Sequence, residues 1–218
     1  MTFSILARDP DTGALGGAAA TGNLCVGGWV LRGKPGIGVS ASQGHYPSTL
    51  WGEEVLDALA SGLDPVRAIK RTVNPDAGRD LRQLLALDRL GNSSVFSGTD
   101  NVPEVAECVR PGICAGGNML AGTDVAEACV DAVLSNSDSF LWRLLSGLIA
   151  GAEAGGDARG LMSAAILIVA EDFPPIDLRV DFDQDPLKAL EVLVKRIEDP
   201  GYASWAKKLP TKRKPFAN

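Results

Sequence analysis

The chain has 218 residues, of which 45% are hydrophobic and only 6% aromatic, with 25 glycines and a formal charge of −6. That length suits one domain burying roughly three-quarters of its unfolded surface, and the scarcity of aromatics calls for a core of Ala, Val, Leu and Ile with closely approaching backbones. Five bases (Lys207, Lys208, Lys212, Arg213 and Lys214) fall in the last dozen positions without an acid, so the body sets 16 bases against 27 acids, a charge of −11 that argues against a nucleic-acid footprint.

No apolar run approaches the roughly 18 residues that span a bilayer, and Met1-Thr2-Phe3-Ser4-Ile5 lacks the basic and long apolar regions of a signal peptide. Cys25, Cys108, Cys114 and Cys129 show no CxxC spacing, the pattern of reduced, mostly buried thiols in a cytoplasmic protein. Residues 1–200 read as one domain and residues 201–218 as a solvated basic tail. No membrane partner, no nucleic acid and no cofactor is expected. With His45 as the single histidine, multi-His metal sites are excluded, and no metal is expected.

The elements follow in chain order. Phe3 to Arg8 reads as a strand, Asp9-Pro10-Asp11-Thr12-Gly13 as a turn, and Ala14 to Ala20 as the returning strand. Gly16-Gly17-Ala18-Ala19-Ala20 is poor strand material by propensity; its small side chains imply that a second layer or a ligand comes close. Gly36 to Ala41 reads as a third strand. Trp51, Val55 and Leu59 recur with helical spacing up to Gly62, and Asp64-Pro65 caps and opens a second helix, with Val66 and Ile69 inward. Strands are expected over Gln83 to Asp88, Ser93 to Ser97 and Gly112 to Ala115. Val125, Ala128, Cys129, Ala132 and Val133 form one helical stripe. Leu141, Leu144, Leu145, Leu148, Ile149 and Ala152 form the next, ending at Gly155-Gly156. Ser163 to Ala170 and Asp177 to Asp181 read as paired strands, and Asp185-Pro186 starts a last helix, with Leu187, Leu190, Leu193, Val194 and Ile197 inward. Grouped strands rather than strict alternation indicate an α+β chain. Strands that are apolar or tiny on both faces then imply two stacked antiparallel sheets with helices outside, a four-layer α-β-β-α sandwich.

Five stretches occur in a recognisable order: Met1-Thr2-Phe3-Ser4-Ile5 with Ala7-Arg8-Asp9; Gly78-Arg79-Asp80 with Arg82-Gln83; Gly117-Asn118-Met119-Leu120-Ala121-Gly122; Ala154-Gly155-Gly156-Asp157 with Arg159-Gly160 and Ser163-Ala164-Ala165; and Asp177-Leu178-Arg179-Val180-Asp181. In these the chain resembles the domain of unknown function 1028 family, placed structurally among the N-terminal nucleophile hydrolases. Thr21 to Leu31 and Ser42-Gln43-Gly44-His45-Tyr46 depart from the family pattern, so a pocket lined by those loops would have its own substrate preference.

The resemblance implies a mechanism in which a leading Thr, Ser or Cys attacks a carbonyl while its own α-amine takes the proton. An α-amine, which ordinarily titrates at about 7.7 to 8, serves as base without a histidine. Thr2 fills that role once Met1 is removed. Superfamily members of the proteasome type carry a lysine at a spacing similar to that of Lys34, where its charge lowers the nucleophile's pKa. Asn118 could donate to a developing oxyanion. Arg79, Asp80 and Arg82 are candidates to clamp a carboxylate-bearing substrate, against an internal ion-pair network. His45 and Gln43 are candidate pocket-lining groups. A rival couple of Ser42 or Cys25 with His45 lacks a recognisable elbow motif. Asp157 and Arg159 read as a cap and turn after a helix, and Arg8, Asp9 and Arg179 as structural. The glycine-rich stretches lack phosphate-loop spacing. The expected function is an amidohydrolase acting on a small amide or cyclic imide through an acyl-enzyme; the alternative is an inactive binding protein of the same fold. A small-molecule substrate and a homodimer are the expected partners.

Overall fold

The computed structural model describes residues 2–101 and 104–216. Among the described residues ten strands form two antiparallel sheets. The larger has the order β10-β9-β2-β1-β8-β7, built from β1 (Thr2–Arg8), β2 (Leu15–Thr21), β7 (Val105–Arg110), β8 (Ile113–Asn118), β9 (Ser163–Val169) and β10 (Ile176–Val180). The smaller has the order β3-β4-β5-β6, from β3 (Leu31–Lys34), β4 (Gly38–Gly44), β5 (Arg82–Asp88) and β6 (Ser93–Ser97). Among the described residues seven α-helices accompany them: α1 (Val26–Trp29), α2 (Trp51–Ala60), α3 (Pro65–Val73), α4 (Val125–Ser135), α5 (Phe140–Glu153), α6 (Pro186–Ile197) and α7 (Pro200–Ala206). The chain is thus a mixed α+β protein with two antiparallel sheets. Among the described residues no helix is long and apolar enough to cross a membrane.

The period-two alternation of β1 explains the packing. Phe3, Ile5 and Ala7 point to one face, where they join Cys129, Leu144, Leu148 and Leu190 of α4, α5 and α6 in the largest apolar cluster. Leu6 points to the other face and meets Leu31, Val39, Leu85 and Leu87 of the smaller sheet. A third cluster joins Leu84 and Ala86 to Trp51, Val55, Leu56 and Ile69 of α2 and α3. The tiny residues of β2 are required by close approach: a Cβ on Gly16 would lie 2.7 Å from a methyl of Leu144 and 2.8 Å from the Phe140 ring.

Local signals in the sequence take their expected forms. Asp9 closes the first turn, accepting from the Thr12 amide at 3.2 Å, and Gly13 adopts φ +74°. Asp64 and Asp185 cap α3 and α6 by accepting from Arg67 N at 2.9 Å and Lys188 N at 3.2 Å. Two expectations are corrected. Val66 is 49% exposed, because the buried stripe of α3 is Pro65, Ala68, Ile69, Thr72 and Val73. The third strand begins at Gly38 rather than Gly36, and it extends to Gly44. The segment after Pro200 opens with α7, and Lys212 and Arg213 lie against Glu171 at 3.3 and 3.6 Å.

A polar bridge ties the sheets together near the start of β1. Gln43 Nε2 donates to Gln83 Oε1 at 2.6 Å, to Gly116 O at 3.2 Å and to Thr2 O at 3.3 Å. Ser4 Oγ donates to Gln43 Oε1 at 2.5 Å, and Gln83 Nε2 donates to Ser97 Oγ at 2.7 Å and Gly117 O at 3.1 Å. Gln43, Gln83 and Ser4 are all buried, so removing one leaves its partners unsatisfied. We predict that Gln43→Leu lowers stability by about 1–3 kcal/mol, read as a lower denaturant midpoint; an unchanged midpoint would show that the bridge contributes nothing.

Burial also sorts the thiols. Desolvation pushes Cys114 and Cys129 up to about 12 and raises Cys108. Cys25 is partly exposed. At pH 8 a disulfide-exchange reagent should therefore label native protein at Cys25 alone, and the other three only after unfolding; rapid native labelling of Cys114 or Cys129 would contradict this packing.

Candidate functional site

Thr2 begins β1, with Thr21 of β2 directly opposite on one side and Asn118 of β8 on the other. Residues opposite each other in antiparallel strands share a face, and alternation from Leu6 and Cys114, both in the inter-sheet core, puts Thr2, Thr21 and Asn118 on the face toward the smaller sheet. The Thr2 hydroxyl donates to Thr21 Oγ1 at 3.1 Å. Asn118 is 0% exposed, yet neither Nδ2 nor Oδ1 has a hydrogen-bond partner among the described residues. Each unmet group costs about 1–3 kcal/mol, and buried polar atoms rarely go unpaired.

Beside this row opens a cavity of about 620 Å³, lined by Thr2, Thr21, Gln43, His45, Met119 and Arg159 together with Asn23 to Val26, Trp29 and Val30. Its size is that of a small-molecule pocket. Two of its residues carry backbone strain: Cys25 has φ 59° and Met119 has φ 56°, and among the described residues they are the non-glycine positions with positive φ. Left-handed conformations of this kind collect at ligand sites and switch regions. Cys25 is held there by its amide, which donates to Asp181 O at 3.0 Å, and by its carbonyl, which accepts from Gly28 N at 3.0 Å.

The charge in the cavity comes from Arg159. Its Nε and Nη2 donate to Asp157 at 3.2 and 3.0 Å. The Asp157 carboxylate is sealed behind it, accepting also from Gly22 N and from Arg159 N. Gly22 is required at that point, since a Cβ would stand 2.4 Å from Gly160 O and 2.7 Å from Asp157. Among the described residues no group of three or more His, Cys, Asp or Glu is placed to hold a metal ion.

The candidates read from the sequence separate into two sets. Thr2, Gln43 and His45 line the cavity, and Asn118 adjoins it between Thr2 and Met119. The Gln43 amide is engaged in the inter-sheet bridge. His45 reaches the cavity from an exposed loop, its ring edge-on to Tyr46 at 4.7 Å. Lys34 does not approach Thr2: it pairs with Asp57, and its neighbour Gly33 packs on Val169 and Leu167, whose register partners Leu15 and Gly17 belong to the far part of β2. Arg79, Asp80 and Arg82 stand outside the cavity lining. Arg82 pairs with Asp76 at 2.8 Å and holds that carboxyl below its usual range, while Arg79 reaches Asn74 O at 3.4 Å and the Asp80 carbonyl accepts from Asp100 N at 2.7 Å. In the rival arrangement, the Ser42 hydroxyl donates to Ser48 O at 2.7 Å, which leaves His45 without that partner. Thr21 falls in the stretch from Thr21 to Leu31 expected to shape a pocket, and much of that stretch lines this one; Met119 and Arg159 carry no signal of a site in the sequence. The Asp157–Arg159 turn is visible there, but only its contact with Gly22, 135 residues away, carries it to the cavity.

The chain was compared with proteins of known structure. The crystal structure of protein SPO2555 from Silicibacter pomeroyi, itself assigned to DUF1028, superposes with a TM-score of 0.95 at 46% identity, covering 99% of this chain and 94% of that one. Anbu (ancestral beta-subunit) from Yersinia bercovieri gives a TM-score of 0.44 at 15% identity, covering 95% of this chain and 98% of that one. None of the curated proteins matches the chain. The pattern of the family of unknown function DUF1028 matches residues 2–190. On that match and the 46% relative, the chain belongs to DUF1028.

Proposed function

We propose that the protein is an amidohydrolase of the N-terminal nucleophile type, its helices and stacked sheets forming the α-β-β-α sandwich of that superfamily, with residues 1–200 as the catalytic domain and 201–218 as an appended tail. The observation that carries this reading is the pairing of Thr2 with Asn118. One residue offers a hydroxyl at a cavity, and its register partner on the next strand offers a buried amide with no protein partner among the described residues.

Removal of Met1, which lies outside the described residues, frees the α-amine of Thr2. The amine takes the hydroxyl proton as Oγ1 attacks the carbonyl carbon of a small amide or cyclic imide. Thr21 Oγ1, 3.1 Å away, orients that hydroxyl beforehand. Negative charge develops on the carbonyl oxygen; the Asn118 amide, sealed beside the cavity rather than lining it, turns to donate to it, and a donor at an oxyanion is worth about 10²–10³ in rate. Collapse of the tetrahedral species breaks the C–N bond, the departing nitrogen takes the proton from the α-ammonium, and the acyl group stays on Thr2. Water, deprotonated by the same amine, then releases the acid. Since Lys34 pairs with Asp57, the α-amine of Thr2 itself serves as the base.

Intact mass of protein from its native host, followed by kinetics of Thr2→Ala and Asn118→Ala, tests the proposal. The expected result is a chain beginning at Thr2. Thr2→Ala should fold normally and lose activity by about 10³-fold or more, and Asn118→Ala should lower kcat about 10²–10³-fold with little change in KM. A chain that uniformly keeps Met1, or a Thr2→Ala protein with full activity, overturns it in favour of a binding protein of the same fold.

A further inference from the structure

The acidic body makes the composition of this cavity informative. Apart from the five bases near its C-terminus, the chain carries 27 acids against 16 bases; yet among the described residues the cavity lining contains no Asp or Glu, and Arg159 is its one side chain of fixed charge. The counter-charge, Asp157, has a side chain that is 0% exposed and donors already around it. Arg159 meets it with the Nε–Nη2 edge. Among the described residues no protein acceptor engages Nη1, and the side chain is 44% exposed. The Nη1–Nη2 end therefore presents two parallel N–H donors outward, the fork that receives a carboxylate in bidentate fashion.

The opposite requirement comes from two other lining residues. Leu24 and Trp29 are 50% and 55% exposed, and both border the cavity. Large apolar side chains left open at a pocket mouth gain by covering apolar ligand surface.

We infer that the cavity takes a small molecule with one carboxylate, held by Arg159, and one apolar group, held against Leu24 and Trp29; with Thr2 as nucleophile, the substrate is an N-acylated amino acid or a close analogue. The scissile amide rests on the proposed hydrolase activity, whereas carboxylate and apolar recognition rest on the cavity alone.

Binding separates the two. Calorimetric titration of Thr2→Ala protein with phenylacetylglycine and with its primary amide, phenylacetylglycinamide, at an ionic strength of about 50 mM compares molecules that differ in the charged group. The acid is expected to bind at least about tenfold more tightly than the amide. Arg159→Gln should abolish that preference. Because this change strands the Asp157 carboxylate, the paired variant Asp157→Asn with Arg159→Gln, neutral and still able to hydrogen bond, should abolish it equally. Equal affinity for the two molecules, no binding of either, or a preference that survives both variants overturns the inference. Since the measurement requires no turnover, such a failure leaves the role of Thr2 standing, and loss of that role leaves this measurement readable.

Discussion

The buried contact of Gln43 with Gln83, Ser4 and the β8 carbonyls is the constraint on which the site depends. Sheets packed face to face stand roughly 10 Å apart, and over most of this interface leucines and valines fill that gap. Toward Thr2 the filling side chains give way to Ala, Gly, Ser and Thr, and two long amides span the space instead. Hydrogen bonds are directional, so they fix the sheets in register as well as in separation. Their far side is free to stay open, and the cavity occupies it.

Around that bridge the molecule carries costs that its core offsets. Asn118 is buried without a protein partner among the described residues, and Cys25 and Met119 hold left-handed backbone. Each such feature costs on the order of 1–3 kcal/mol. They flank one cavity, and the strain at Met119 follows directly from Asn118, the last residue of β8: the chain turns sharply there and runs on to Leu120, whose amide donates to Glu104 O at 3.1 Å. Local departures of this kind concentrated at one end of a regular sheet mark a place shaped for a ligand.

Much of the fold was legible because its signals are local. Asp9 to Gly13, Asp64-Pro65 and Asp185-Pro186 each carry their own hydrogen-bond partners within three or four residues, so the hairpin and two helix starts could be read directly. Four elements could not. The four residues of α1, Val-Gly-Gly-Trp, are too few for periodicity, and β3 contains glycine between two bases. β7 alternates weakly, with three of its six residues exposed, and α7 is a helix of 7 residues, none of them buried, within a segment that reads as tail. In the candidate site, Thr2 and Asn118 could be named from their place in family-like stretches, but not their pairing, because the strand expected to end at Ala115 runs on to Asn118. The site was illegible where distant segments meet. Arg159 acquires its position from Gly22 and Asp157, and Lys34 loses its expected place because α1 and β3 carry the chain away from Thr2. Gln43 looked like part of a loop, but it ends a strand with its amide turned into the sheet interface.

The central claim is that Thr2 is a reactive nucleophile facing the space beside the amide bridge. Its most direct test is peptide mapping by mass spectrometry after exposure of the native-host protein to a small β-lactone, which acylates hydroxyl nucleophiles. The account predicts a single adduct on a peptide beginning at Thr2. An adduct confined to Cys25, or none on a chain whose residue 2 is free, would contradict it.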